Sequence, residues 1–174
     1  MAVKYKLQDL PKLSGRMIFV DANVLIHLFW LTGANFWEQK YASVFARLLQ
    51  QGNPLFVDFL IISEVINRMM RIEHNNRQPN STYKAFRDSQ DGEKALSNIY
   101  LIVKEHILKR VKVVGKIFER KDIEAFLVVN ELDFVDKSTV NICKENNFVL
   151  LTNDRDFANA DIDLLTCNPY ILNS

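Results

Sequence analysis

Four acidic residues lie where a strand is expected to end or a helix to begin. Asp21 follows the apolar stretch RMIFV, and Asp154 follows FVLLTN near the other end of the chain. Glu64 opens a helical segment after another apolar stretch, and Asp136 lies in the first turn of the helix before FVLLTN. Carboxylates held close together repel one another, and a divalent cation removes that conflict. Because the ligands are oxygens, without Cys or His, the pattern predicts Mg²⁺ or Mn²⁺ rather than zinc.

The elements that must position these acids alternate between short apolar strands and helices. Strands are predicted in RMIFVD, LFVDF, VKVVG, FVLLTND and, at the edge of the sheet, IDLLTC. Helices are predicted in ANVLIHLFWL, NFWEQKYASVFARLLQQGNP, LIISEVINRMMRI, EKALSNIYLIVKEHILKR, FERKDIEAFLVVNEL and FVDKSTVNICKEN. This order predicts a three-layer α/β/α sandwich with a central parallel sheet of four to five strands. Ligands of such sheets bind beyond the carboxyl ends of the strands, which is where Asp21 and Asp154 are placed.

Residues 1–174 are predicted to form a single domain, since this length and a hydrophobic content of 48% suit one core. Residues 73–92 are polar and contain Pro79 and Gly92, which indicates an insertion or lid, with a short helix after Ser81. No stretch approaches the roughly 18 apolar residues needed to span a membrane, and the N-terminus lacks the apolar core of a signal peptide. The sequence therefore predicts a cytoplasmic protein with no membrane partner.

Charge is distributed unevenly along the chain, although the net charge is only +1. Residues 68–121 contain 13 Lys and Arg against 6 Asp and Glu, whereas residues 122–163 contain 10 acids against 3 bases. A basic middle and an acidic end favour a polyanion held beside a metal site, and ordinary solvated helix faces are the alternative. Cys143 and Cys167 are isolated in the sequence, so we expect neither a disulfide nor a zinc site.

Each acid also has an ordinary structural explanation. A lone Asp after a strand is commonly a turn residue or a helix N-cap. Glu64 could pair with Arg68 one helical turn later, and Asp136 could be an acid favoured by the helix dipole. Asp156 could cap a short helix at FANA. Four acids at strand ends or helix starts on one predicted edge nevertheless favour a common site.

Three stretches resemble, in order, the motifs of the PIN domain family of metal-dependent ribonucleases. They are IFVDANVLIHLF, SEVINRMMR and FVDKSTVNICKENNFVLLTNDRDF. The resemblance implies that the catalytic, metal-binding acids are Asp21, Glu64, Asp136 and Asp154, with Asp156 as a further outer ligand. Asp133 competes with Asp136 for the third position, but the spacing to the polar T-x-D turn favours Asp136. The supporting polar residues on this resemblance are Asn23, Ser63, Thr152 and Asn153.

The resemblance implies an endoribonuclease that uses Mg²⁺ or Mn²⁺ to hydrolyse RNA phosphodiester bonds, leaving 5′-phosphate and 3′-hydroxyl ends. Arg68 and Arg71 follow Glu64 at i+4 and i+7, so they could hold substrate phosphates along one helical face. An ordinary exposed basic face is the alternative.

The biological role and the partners stay open at this level. The chain could be the toxin of a VapC-type toxin–antitoxin pair, blocked by a small antitoxin protein, or a stand-alone RNA-processing nuclease. A homodimer could form through Phe29, Trp30, Phe36 and Trp37, which could equally belong to the core.

Two rival functions come from other classes. A phosphatase of the haloacid dehalogenase type requires Asp and Thr after the first acid, at positions where this chain has Asn23 and Leu25. The more serious rival is a catalytically inactive module with the same fold that binds RNA or protein. The presence of all four acids favours the nuclease.

Overall fold

A computed structural model describes residues 2–30, 33 and 35–174. Within these residues, six parallel strands form one sheet in the order β1-β6-β5-β2-β3-β4. The strands are β1 (Lys4–Tyr5), β2 (Ile18–Val20), β3 (Leu55–Val57), β4 (Lys112–Val113), β5 (Val149–Leu151) and β6 (Leu164–Leu165). Helices flank the sheet, which confirms the predicted three-layer α/β/α sandwich.

The described α-helices follow the predicted alternation with the strands. They are α1 (Ala22–Phe29), α2 (Asn35–Gln50), α3 (Phe59–Arg77), α4 (Tyr83–Arg87), α5 (Gln90–Ile102), α6 (Arg120–Phe126), α7 (Phe134–Asn146) and α8 (Pro169–Asn173). Short 3-10 helices cover Leu7–Leu13 and Arg155–Asn159, and a π-helical turn covers Val103–Ile107. None of the described helices is long and apolar enough to cross a membrane.

The centre of the sheet is the most buried part of the fold. Every residue of β2 and β5 is fully buried, because these two strands are covered by helices on both faces. Their registers align Val20 with Leu151, and the Asp21 N–H donates to the Leu151 carbonyl oxygen at 3.0 Å. The two strands therefore end side by side, at the same edge of the sheet.

Two predictions about the outer strands of the sheet are wrong, namely the position of β6 and the number of strands. The stretch IDLLTC was expected at the edge of the sheet, but β6 pairs with β5 on one side and with β1 on the other. The described sheet has six strands rather than four to five, because β1 was missed. A strand of two residues, one of them Lys4, is too short to show the alternation by which strands are found.

Three predicted helices have different limits. The helix expected over residues 93–110 is α5 followed by the π-helical turn, and the one expected over residues 118–132 is only α6. The apolar residues after α6 lie in solvent instead of on a core: Val128 is 61% and Val129 97% exposed. The first helix was expected to reach Leu31, which lies outside the described residues, and α1 ends at Phe29.

The polar segment 73–92 is largely helical. Its beginning is the last turn of α3, and α4 confirms the short helix predicted after Ser81. The Thr82 hydroxyl caps α4 by accepting from the Ala85 N–H at 3.2 Å. Phe86 is fully buried and its ring lies 5.4 Å from the His74 ring, so the segment is attached to the core.

The aromatic residues proposed for a homodimer differ in exposure. Phe36 is 60% exposed. Phe29, Trp30 and Trp37 are partly buried and pack against the core, with Phe29 meeting the Phe45 ring edge-on at 6.0 Å. Most of this aromatic set therefore contributes to packing within the chain.

A glycine at the start of α5 yields a stability prediction. A Cβ at Gly92 would lie 2.1 Å from the Phe86 carbonyl oxygen, so the backbone of α4 must move to accept it. We expect Gly92→Ala to lower the free energy of unfolding by about 1–3 kcal/mol, as overpacking does. Urea unfolding measures this change. Gly115→Ala is the matched control, since nothing lies within 4 Å of its added Cβ, and equal stability of the two variants would contradict the prediction.

Candidate active site at the carboxyl edge of the sheet

The pairing of β2 with β5 brings two of the predicted acids to one edge of the sheet. Asp21 directly follows β2 and caps α1, and Asp154 follows β5 and caps the 3-10 helix Arg155–Asn159. Both positions lie beyond the carboxyl ends of neighbouring parallel strands, where α/β sheets bind ligands. Asp21 and Asp154 are therefore helix N-caps and also lie at the edge of the sheet where a ligand is expected.

The carboxylate of Asp21 is buried and surrounded by neutral donors. Its Oδ1 accepts from the Ala22 N–H at 2.7 Å, and its Oδ2 accepts from Asn23 Nδ2 and Thr152 Oγ1, each at 2.6 Å. The side chain is thereby fixed in one orientation. Among the described residues, no Lys or Arg forms an ion pair with it.

A single hydroxyl connects the two strand ends. Thr152 Oγ1 donates to Asp21 Oδ2 and accepts from the Asp154 N–H at 2.9 Å. A second bridge runs from the Asn153 N–H to Asn23 Oδ1 at 3.1 Å. The predicted supporting residues Asn23, Thr152 and Asn153 therefore join the loop after β5 to the start of α1.

The electrostatics of the edge show that the acids influence one another. Burial raises the pKa of Asp21 to about 7; the charges of Glu64 and Asp154 add to this rise, and the Thr152 hydrogen bond opposes it. Burial likewise raises the pKa of Asp136 to about 6, with further contributions from Asp133, Asp154 and Asp156. The edge thus has excess negative charge, and among the described residues only Glu64 of these acids has a basic partner.

The two remaining acids are carried by helices that start at this edge. Glu64 lies in the second turn of α3, and Asp136 lies in the first turn of α7. Asp133 is the N-cap of α7, where its Oδ1 accepts from the Asp136 N–H at 2.8 Å. Since Asp133 is exposed whereas Asp136 is partly buried, Asp136 is the better candidate for the third acid of the site.

Comparison with known proteins agrees with this geometry. The family model described as "PIN domain" matches residues 18–163, which is most of the chain. The chain belongs to the PIN domain family. The crystal structure of PAE2754 from Pyrobaculum aerophilum matches with a TM-score of 0.52 and 16% sequence identity, covering 91% of this chain and 89% of that one. At this identity the likeness concerns the fold alone. No curated protein sequence matches the chain.

PIN domains are in general nucleases, and the family typically uses a divalent metal. In the part of this PIN domain that the structure describes, no group of three or more His, Cys, Asp or Glu side chains is arranged to hold an ion. The chemistry of the donors still fits a hard divalent cation, because the Asp21 carboxyl has no basic partner among the described residues and the nearby charges of Glu64 and Asp154 help to raise its pKa. Mg²⁺ usually keeps several of its waters and needs few direct protein ligands, which suits spread-out acids.

Several predicted residues of the PIN site have other partners in the structure. Arg68 Nη1 lies 3.1 Å from Glu64 Oε1, which is the i+4 pair considered as the ordinary explanation for Glu64. The Arg71 guanidinium lies 4.8 Å from the centre of the Tyr83 ring, and so packs the segment 73–92 against α3. Ser63 Oγ accepts from Asn67 Nδ2 at 3.4 Å, and no described hydrogen bond joins it to the acids.

The capping role considered for Asp156 is wrong. Asp154 is the N-cap of the 3-10 helix, and its Oδ1 accepts from the Asp156 N–H at 3.1 Å. Asp156 lies exposed in the first turn of that helix, and its charge contributes to the raised pKa of Asp136.

Two residues that hold the T-x-D turn by hydrogen bonds, Tyr41 and Asn168, were not predicted from the sequence. The Tyr41 hydroxyl lies 3.0 Å from both the Thr152 carbonyl oxygen and Asn153 Oδ1, and it accepts from the Cys167 N–H at 3.2 Å. Asn168 Nδ2 donates to the Asn153 carbonyl oxygen at 2.8 Å. Tyr41 lies fully buried on the apolar face of α2, and in the sequence its fit to that face conceals its polar role.

The raised pKa of Asp21 predicts a pH-dependent change in stability. Between about pH 4 and pH 7 the folded state holds a proton that the unfolded chain releases, so this group destabilises the fold as the pH rises. In metal-free buffer Asp21→Asn removes the effect. We expect the variant to gain stability over wild type as the pH rises from 4 to 7, by at most roughly 4 kcal/mol. Urea unfolding across this range measures the difference, and a constant difference would contradict the prediction.

The bridge made by Thr152 yields a second prediction. Thr152→Val keeps the shape of the side chain but removes one of the two donors to Asp21 Oδ2 and leaves the Asp154 N–H without its partner. We expect the free energy of unfolding to fall by about 1–3 kcal/mol. The matched control is Thr139→Val, because Thr139 is similarly buried and no described side-chain hydrogen bond involves it. Thermal unfolding of both variants distinguishes a loss of the bridge from a general effect of removing a hydroxyl.

Proposed function

We propose that this PIN domain is a Mg²⁺- or Mn²⁺-dependent endoribonuclease that hydrolyses phosphodiester bonds at the carboxyl edge of its sheet. The observation that carries the proposal is the buried Asp21 carboxylate, which has neutral donors and acidic neighbours but no basic partner among the described residues. Burying an unpaired charge is costly unless something balances it. A divalent cation would balance it, and family membership supplies the matching class of activity.

Each acid has a distinct part in the proposal. Asp21, Glu64, Asp136 and Asp154 would hold the cation, directly or through water. The cation would lower the pKa of a bound water and stabilise negative charge on the phosphate being cleaved. Thr152 and Asn23 hold Asp21 in place, so the site is organised before any cation arrives. Asp156, exposed at the same edge, is assigned to outer contacts.

Arg68 is the residue that we assign to the substrate phosphate. It is half exposed and lies 3.1 Å from Glu64, so it is at the site without being buried in it. An exposed i, i+4 ion pair contributes only about 0.3–0.5 kcal/mol, so it can be given up readily when a cation or a phosphate arrives. Arg71, which packs on Tyr83, is the weaker candidate for this role.

The choice of RNA, the toxin or processing role and any antitoxin or second copy rest on the family resemblance. One observation favours the alternative of an inactive binding module. Both Asp21 oxygens already accept hydrogen bonds, and no three metal-binding side chains of the described residues are clustered. The two functions differ in whether the protein binds a divalent ion at Asp21, and this can be measured.

The proposal predicts a metal-dependent gain in stability and a metal-dependent cleavage activity. Wild-type protein titrated with Mn²⁺ is expected to rise in melting temperature, because binding to the folded state alone stabilises it. Asp21→Asn and Asp154→Asn should lose the rise and at least about 100-fold in cleavage of labelled single-stranded RNA, as expected when a catalytic electrostatic contact is removed. Single-stranded DNA of the same sequence, tested in parallel, determines whether the substrate is RNA.

The matched control for these variants is Asp161→Asn. Asp161 is exposed and pairs with Lys144 rather than with the site, so the variant should keep both metal response and cleavage. If wild type binds Mn²⁺ but cuts neither nucleic acid, the nuclease assignment is wrong and the site only binds metal. If neither binding nor cleavage is seen, the inactive binding module replaces it.

A further inference from the structure

A cavity opens beside the acidic edge. It measures about 330 Å³ and lies between the start of α3, the segment after β4, α6 and α7. This volume falls at the small end of the range for ligand pockets in proteins. Aromatic rings line it, namely Phe59, Phe118, Phe126 and Phe134.

The walls of this cavity form an ordered aromatic cluster. The rings of Phe118 and Phe126 meet edge-on with centroids 5.9 Å apart, and those of Phe126 and Phe134 meet in the same way at 5.7 Å. Phe134 is 47% and Phe59 75% exposed, so ring surface is accessible at the entrance. Exposed aromatic faces beside a nuclease site are suited to stacking on flat rings.

Three polar side chains contribute to this otherwise apolar lining, namely Asp58, Lys116 and Ser138. Lys116 is already occupied, since its Nζ donates to Asn141 and Glu145 and lies 5.3 Å from the centre of the Phe118 ring. Ser138 is only 2% exposed, and its Oγ has no hydrogen-bond partner among the described residues. Asp58 is 5% exposed; its Oδ1 accepts from the Ile61 N–H at 2.8 Å, and no described side chain donates to the carboxylate. Burial raises the pKa of Asp58, as expected for a carboxyl with little solvation. The cavity therefore offers a carboxylate acceptor and an unpaired hydroxyl.

The cavity adjoins the proposed active site through shared elements. β3 pairs with β2 in the register Phe56 to Phe19, and continuing that register places Asp58 beside Asp21. Neighbouring strands are about 4.8 Å apart. α3 carries Glu64 one turn after the cavity residues, and α7 carries Asp136 between Phe134 and Ser138. A nucleotide whose phosphate is at the acids can thus place a base in the cavity.

We propose that this cavity is a base-binding subsite, in which an unpaired nucleobase stacks on the phenylalanine rings and donates an exocyclic amine to Asp58. Adenine, cytosine and guanine carry such an amine, whereas uracil does not. Ser138 supplies a second hydrogen bond to the edge of the base. The proposal rests on the proposed function only for the identity of the ligand as a base of RNA.

The polar lining argues against an apolar side chain of a protein partner as the occupant. A leucine or phenylalanine inserted here would leave Asp58 and Ser138 desolvated and unpaired, which is costly. A nucleobase covers the rings with its flat face and also brings N–H donors on its edge. Of these two occupants, only the nucleobase satisfies both parts of the lining.

The first test measures binding without cleavage. The four nucleoside 5′-monophosphates are titrated into ¹⁵N-labelled wild-type protein in metal-free buffer, with ribose 5-phosphate as the probe that lacks a base. We expect AMP, CMP and GMP to shift the amide signals of Phe134, Ser138 and Gly115, and UMP to bind about tenfold more weakly, as for loss of a hydrogen bond to a charged group. Shifts of equal size with ribose 5-phosphate would overturn the proposal.

Three variants sharpen this test. Asp58→Asn keeps a good N-cap for α3 but replaces the carboxylate, so it should reduce the preference for amine-bearing bases over UMP by about tenfold. Phe134→Leu removes a ring and should weaken all four nucleotides alike. Val129→Ser is the control, because Val129 is 97% exposed and outside the cavity lining. An unchanged base preference in Asp58→Asn would contradict the assignment of Asp58.

The outcomes separate this proposal from the nuclease proposal. If nucleotides bind in the cavity but wild type cuts no RNA with Mn²⁺, the nuclease proposal fails and the subsite stands. If wild type cuts RNA but no nucleotide shifts the cavity signals, the subsite is wrong. If the same signals change on dilution of the protein alone, the cavity receives a second copy of the chain, and the base-binding proposal is overturned.

Discussion

The buried carboxylate of Asp21 is the constraint on which the rest of the site depends. A charge at the end of the central strand β2 is far from bulk water, and its hydrogen bonds come only from neutral groups, of which Thr152 is one. Such donors offset part of the desolvation cost but leave the charge itself unbalanced. The neighbouring acids increase the imbalance rather than relieving it. A protein that retains this arrangement gives up stability at a place where a cation or a proton must complete the structure.

The support of that carboxylate extends through most of the fold. Thr152 holds Asp21, and the Thr152 N–H donates in turn to Leu165 of β6 at 3.1 Å. Tyr41 of α2 fixes the same turn from the other side, and Asn168 holds it from the start of α8. The turn after β5 is therefore set by four separate elements. Precise placement of charged groups by such supporting hydrogen bonds is what an electrostatic active site requires.

The structural features that the sequence predicts correctly are those whose evidence lies within a few consecutive residues. A run such as FVLLTND shows both its burial and its polar end within seven residues, so the strand, its direction and the place of Asp154 could be inferred together. Features that depend on distant partners could not be inferred. Tyr41 looks like a core residue until Thr152 is known to lie beside it, and β1 has only two residues whose pairing with β6 defines them. The end of α6 could not be predicted either, because it depends on whether Val129 packs against a core, and in the structure Val129 is exposed.

The same reasoning explains why ordinary and functional explanations of one acid need not compete. Asp154 is a helix N-cap and a candidate metal ligand at once, because a cap occupies one carboxylate oxygen and leaves the other available. Glu64 pairs with Arg68 at the surface, where the pair is weak enough to be exchanged for a stronger partner. Asp58 also caps its helix, but it lines an aromatic cavity rather than belonging to the acidic cluster. The same carboxylate chemistry at the ends of adjacent strands thus suits the two proposed roles, one toward a cation and one toward a base, because the surroundings of each carboxylate differ.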